Sequence, residues 1–269
     1  MSPTTTPTAA KPRLRYDPLP RRPPSPAEPV TVNLRKAPAD VEIPWHSHDW
    51  AQLAYPTAGT MRLSTADTAW IVPPYRAIWI PPQVVHCVVM LGRVELRTLY
   101  VDPGAAPLPL DACRVVEVSD LMRSLSEAIA ATPAPEEPRR SLMVGLLVEE
   151  IRQARPLSLG LPLPRDRRLM ALCQALLDDP ATDLTLEEWS AQVGASARTL
   201  ARLFQKELGL AFGAWRQQLR LSRAAALVAQ GRSLAEVAAE LGYASPSAFS
   251  AMFKRAFGES PRRFFQQRG

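Results

Sequence analysis

Three histidines occur in the chain, His46, His48 and His86. Neutral imidazole suits either ligation of a first-row divalent metal or hydrogen bonding to a small organic molecule. The third reading is structural, with the rings held in a core by ordinary hydrogen bonds. No evident acid/base partner accompanies them, which counts against catalysis. Cys87, Cys113 and Cys173 are odd in number and lack CxxC spacing, which leaves no disulfide framework and no zinc finger. They read as small buried thiols. The remaining chemistry is cationic, and the formal charge of +6 is unevenly spread. Residues 1–30 hold five Lys and Arg against two Asp and Glu, residues 31–182 hold 15 against 17, and residues 183–269 hold 12 against 7. A basic C-terminal third suits a phosphate backbone.

The elements that must position these groups follow from the apolar pattern. Nine of the 28 prolines fall in residues 1–30, which predicts a disordered, Pro-rich basic tail. Residues 31–118 contain short β-branched and aromatic runs, VTVNLR, QLAYPTAGTMRLST, TAWIVPP, RAIWIPP, VVHCVVML and VELRTLYV, broken by Pro and Gly. Such spacing predicts an antiparallel sandwich or small barrel, walled by Trp45, Trp50, Trp70, Trp79 and Tyr75. From Ser119 the period becomes helical. Leu121, Leu125, Ala128 and Ile129 form one face, and Leu142, Leu146, Leu147 and Ile151 another, on either side of TPAPEEP. These helices either pack a dimer or close the sheet domain. ARPLSLGLPLPR completes the 119–164 segment as an interdomain linker. Residues 165–269 are almost wholly helical, so the fold class is α+β in two domains. No run approaches the roughly 18 apolar residues of a membrane span, and the N-terminus lacks a secretory apolar core. A cytoplasmic protein with no membrane partner is expected.

The helical third contains a duplication. Leu186, Val193 and Gly194 match Leu234, Leu241 and Gly242 at an offset of 48, and Ser196, Phe204 and Gly209 match Ser245, Phe253 and Gly258 at an offset of 49. Each copy has a short amphipathic helix, a turn glycine and a second helix opened by serine, the parts of a helix-turn-helix. Leu200 with Leu203, and Phe249 with Met252, supply the buried sides. LAFGAWRQQLRLSRAAALVAQG joins the copies through a face containing Leu219, Ala226 and Leu227. At roughly 18 residues this strut is on the order of 27 Å long, near the roughly 34 Å of one DNA turn.

Residues 169–265 resemble the DNA-binding domain of the AraC/XylS family of transcription regulators. The resemblance rests on the paired motifs, the RLSRAAALV helix and the ending GYASPSAFSAMFKRAFGESPRRFF. It implies recognition of an asymmetric half-site of double-stranded DNA by two motifs. In the first recognition helix Arg198, Thr199 and Arg202 then face outward, and an arginine paired bidentately with guanine contributes about 1–3 kcal/mol of discrimination. In the second the outward positions are Pro246, Ser247, Ser250 and Ala251, where family members often carry longer polar groups. Less base readout, and more phosphate contact through Lys254, is expected there. Phe204, Phe253, Phe257 and Phe264 read as core.

WHSHDWAQLAYPTAG resembles the first cupin motif and IPPQVVH the second. A cupin-like antiparallel β-barrel is implied, with His46, His48, Gln52 and His86 converging inside as ligands of a divalent transition metal. Gly59 is the motif glycine. Gln52 stands where glutamate is usual, a weaker neutral ligand, and Gln83 where a turn glycine is usual. AraC-type sensors also use this fold without metal, so an effector pocket in which the imidazoles bond a small molecule stands beside the metal site. The expected function is a sequence-specific transcription regulator, not an enzyme, responsive to a small molecule or metal. RNA polymerase, if it activates, and a second copy of the chain are further expected partners. The alternative is a cupin metalloenzyme fused to a helical accessory domain. A sequence-neutral architectural protein is a third reading, against which Arg198 and Arg202 count.

Overall fold

The computed structural model describes residues 14–15, 22–39, 41–109, 111–132, 138–157, 159–180, 182–229, 231–257 and 260–266, without the side chains at 225, 226, 229, 256, 257 and 264–266. The core readings of Ala226, Phe257 and Phe264, most of the TPAPEEP break and most of the 1–30 tail lie outside the described residues.

The sheet comprises β1 (Leu14–Arg15), β2 (Val30–Ala37), β3 (Val41–His46), β4 (Ala51–Ser64), β5 (Thr68–Val72), β6 (Arg76–Ile80), β7 (His86–Val101) and β8 (Arg114–Glu117). β4 follows its run through Pro56 and Gly59, while β7 is longer than the apolar runs suggest, because it continues through Gly92 and joins VVHCVVML to VELRTLYV. The pair matches from Ala51–Val101 to Ser64–Cys87, with register shifts between Pro56 and Thr60. Bulges bend a strand and raise its twist. At the bend Gly59 adopts φ +76, and a Cβ there would stand 2.0 Å from the Arg93 carbonyl oxygen, so no other residue fits.

On one side of the bend the pair is flanked by β2 and β6; on the other, by β3 and β5. The two halves roll over a shared core that includes Ile43, Met61, Ile78, Val88 and Leu96. Pairing is antiparallel except for β1 on β3. That pairing corrects the expectation of a wholly disordered tail, since Leu14 and Arg15, free of proline, hydrogen-bond to the edge of β3.

Helices α1 (Asp120–Ala131) and α2 (Pro138–Gln153) cover the outer face through Met122, Leu125, Ile129, Val144, Leu147 and Ile151, against Leu53, Tyr55, Trp79 and Leu99. Leu121, Leu142 and Leu146 are instead exposed. The α2 stripe includes Arg140, buried because its guanidinium pairs with Glu28 at 2.8 Å. Hydropathy does not mark a paired arginine as a core position, and the apolar face was therefore displaced. Trp45 is exposed, unlike the other predicted wall tryptophans.

The segment expected to be a linker is also sewn into the sheet. β9 (Pro156–Leu157) pairs with β8, and β10 (Gly160–Pro162) with β5. Alternate leucines Leu159, Leu161 and Leu163 are buried, a period-two pattern beneath the prolines. Then follow α3 (Arg167–Asp178), α4 (Leu186–Val193), α5 (Ala197–Leu203), α6 (Phe212–Ala229), α7 (Leu234–Glu240), α8 (Pro246–Phe257) and α9 (Pro261–Gln266). A π-helical turn, Phe204–Leu208, extends α5.

These helices form two cores. Leu169, Leu172, Leu176, Trp189, Leu200, Phe204 and Trp215 pack with Ala69 and Ile71 of β5 and Leu161 of β10, so the sheet and the first helix pair share one interior. Trp215 is fully buried and donates from Nε1 to the Pro162 carbonyl at 2.8 Å. Leu221, Leu227, Val237, Leu241, Phe249 and Phe253 form a separate core around α7 and α8.

Candidate functional site

His46 closes β3 opposite His86, which opens β7, and His48 lies in the turn leading to β4. Ring centroids are 4.2 Å apart for His46 and His86, 5.2 Å for His48 and His86 and 6.0 Å for His46 and His48. One ligand nitrogen from each lies within 4.8 Å of the others. Every Nδ1 is held by a backbone carbonyl, those of Pro44 at 2.8 Å, Trp50 at 2.7 Å and Val84 at 2.8 Å respectively for His46, His48 and His86. A carbonyl can only accept, so each Nδ1 carries the proton and each Nε2 keeps a lone pair.

His48 and His86 are buried, and Nε2 of both lacks a hydrogen-bond partner among the described residues. Such orphaned acceptors are costly unless something fills them. Gln52 is buried on β4, and its amide approaches His48 closely enough to favour the protonated ring, though not in hydrogen-bond geometry. The ring of Trp50 stacks on His48 at 5.3 Å. Gln83 adopts φ +62, the conformation its glycine-like position requires, tied by its N–H to the His48 carbonyl and by its amide to Asp49.

Desolvation lowers the pKa of all three imidazoles, that of His86 to about 3. The fold therefore holds them neutral, while the unfolded chain binds protons below the ordinary value of about 6.5. Stability contributed by the neutral rings is complete above pH 6.5 and falls as pH drops toward 3. The metal-free protein should show a declining melting temperature over that window, and His86→Asn should flatten the decline. Equal slopes for both proteins would contradict this.

The two copies of the duplicated unit match in local chemistry. Thr185 and Glu188 form a capping box on α4, as Ser233 and Glu236 do on α7. Gly194 and Gly242 turn at φ +69 and +72. Ser196 caps α5 by accepting from the Thr199 N–H, and Ser245 caps α8 by accepting from the Ala248 N–H. Arg198 and Arg202 are exposed on α5. Thr199 is half-buried, its hydroxyl 2.9 Å from that of Ser196, so it serves the cap as well as the surface. Ser247 and Lys254 are exposed on α8 and Ser250 is half-buried. Exposed Gln205 continues the Arg198–Arg202 line one turn further. The sequence reading passed over it, although the seven-residue interval from Arg198 carried the signal.

Residues 34–147 match the family model described as an AraC-like ligand binding domain, and residues 189–267 that described as a helix-turn-helix domain. The HTH-type transcriptional regulator NimR of Escherichia coli is 33% identical over 227 residues, which span 84% of this chain and 83% of that protein. The chain belongs to the AraC family of transcriptional regulators. This AraC family chain is also similar to the HTH-type transcriptional regulator RipA of Corynebacterium glutamicum, 40% identical over 103 residues, 38% of this chain and 31% of RipA. Among solved structures, ToxT from Vibrio cholerae gives a TM-score of 0.38 at 11% identity, covering 89% of this chain and 98% of ToxT. AraC family proteins are transcriptional regulators and not enzymes, so the metalloenzyme alternative is set aside. Among the described residues no helix is long and apolar enough to cross a membrane.

Proposed function

We propose that this AraC family regulator reads an asymmetric DNA site with two unequal helix-turn-helix units, α4–α5 and α7–α8, and that its cupin-like sheet domain holds a divalent transition metal. The buried Nε2 atoms of His48 and His86, without hydrogen-bond partners among the described residues, carry the metal assignment. His46, His48 and His86 would ligate through Nε2, with the Gln52 amide oxygen beside them, a donor set suited to zinc, nickel, cobalt or iron(II). The α5 helix reads bases through Arg198 and Arg202; α8, presenting Ser247 and Ser250, docks mainly on phosphates through Lys254. Pairing with a second copy through α1 and α2, where Leu121, Leu142 and Leu146 are exposed, and contact with RNA polymerase during activation belong to the same reading.

A mobility-shift series on DNA upstream of the protein's own gene, with elemental analysis of the same preparation, tests it. Selective retardation and bound metal that is lost in His86→Ala are expected; no selective shift under any condition would sink the DNA assignment. Lys254→Ala should weaken selective and non-selective DNA alike and reduce the salt dependence of binding by about one counterion. A change confined to one sequence would instead place Lys254 at a base.

A further inference from the structure

We infer that a dissociable divalent metal ion is itself the signal sensed, because its ligands bridge the two halves of the rolled sheet and only one half carries the helical domain; this rests on the metal-site reading above. His46 on β3 and His86 on β7 stand in the half bounded by β3 and β5. Gln52 pairs with Ile80 and Tyr100 in the other half, and His48 leads into that end of β4. An ion reached by donors from both sides ties the halves together. The half that carries His46 and His86 docks the helices, through Ala69 and Ile71 and through Arg62 of β4, whose Nη2 donates to Asp178 of α3 at 2.9 Å. Arg62 is buried, with Nε and Nη1 lacking hydrogen-bond partners among the described residues, so this contact is sensitive to small shifts of β4. An ion that favours the bridged arrangement thereby favours one placement of α3 and the helix pair packed on it.

Size and charge point the same way. The cavity beside the cluster, lined by His46, Gln52, Met61, Thr98, Tyr100 and Arg35, is about 20 Å³. That is room for about one water, far below the roughly 300–1,000 Å³ of organic-ligand pockets. The donors are uncharged: three imidazoles and a carboxamide. Among the described residues no anionic ligand joins them to offset a dication, so the ion is held less tightly than it would be with a carboxylate at position 52. Half-buried His46, beside exposed Trp45 and Val85, gives it a way in from the surface.

The test uses the full chain, its upstream DNA, and zinc, nickel or cobalt chloride with EDTA as the stripping agent. At least a tenfold difference in DNA affinity between loaded and stripped protein, restored on adding metal back, is expected. Gln52→Glu supplies the missing negative charge, so it should bind metal at least tenfold more tightly and keep its loaded DNA affinity at EDTA concentrations that strip the native protein. His86→Ala should show no response; because His86 is fully buried, half-buried His46→Ala provides the same test if that variant does not fold. Metal bound in stoichiometric amount with unchanged DNA affinity overturns the signalling inference and leaves the metal site standing. No metal bound to any preparation overturns both.

Discussion

Alanine at both Arg198 and Arg202 is expected to abolish selective DNA binding while leaving the fold intact. Each bidentate arginine–guanine pair contributes about 1–3 kcal/mol, so the double change should cost between about 30-fold and about 10⁴-fold in selective affinity. Both side chains are exposed on α5, and melting should not change. Competition mobility shifts, with selective against unrelated DNA, measure the ratio directly. The paired change Ser247→Ala with Ser250→Ala is the contrast, expected to alter selectivity by no more than several-fold. Equal losses for the two double variants would contradict the unequal roles assigned to α5 and α8.

Trp215→Ala should be the most damaging single change in the helical domain. The indole is fully buried where α3, α4, α5 and the sheet meet, and it donates to the Pro162 carbonyl. Its removal leaves a cavity and an unmatched acceptor, a loss of about 3–5 kcal/mol for an aromatic-to-alanine change in a core. Because the cavity opens at the junction, the sheet domain should also lose stability. Chemical denaturation followed by near-ultraviolet circular dichroism checks both points, and a loss below about 1 kcal/mol would show that the junction is looser than its packing suggests.

What could be read from the sequence was local chemistry. His46, His48, Gln52 and His86 could be singled out together because two short segments resemble the cupin motifs, and the structure brings the three histidines together with Gln52 beside them. The duplicated helices were recognisable from Gly194, Gly242, Ser196 and Ser245, since turn and cap chemistry depends on neighbours only. The capping boxes at Thr185 and Ser233 were equally legible and went unused. What was not legible depended on distant partners. Arg62 and Asp178 are far apart in the chain, and nothing near either announces the other. Arg140 became a core residue through Glu28 and the Thr132 carbonyl. The proline-rich segment around Leu161 looked like a tether because composition outweighed the alternation of its leucines.

The length of α6 has a consequence of phase. Its 18 residues amount to about five complete helical turns, so what leaves its far end emerges at nearly the same azimuth as what enters. One residue added or removed would swing α7 and α8 about the helix axis by roughly 100°, carrying the second unit off the side of the duplex that, in the proposed two-unit reading, the first one grips. A whole turn would instead slide it along by about 5.4 Å while preserving its aim. In that reading, natural variation in this connector is expected to come in steps of about a turn, and the spacing of an operator's two half-elements would be set by a rod whose rotation tolerates less error than its length.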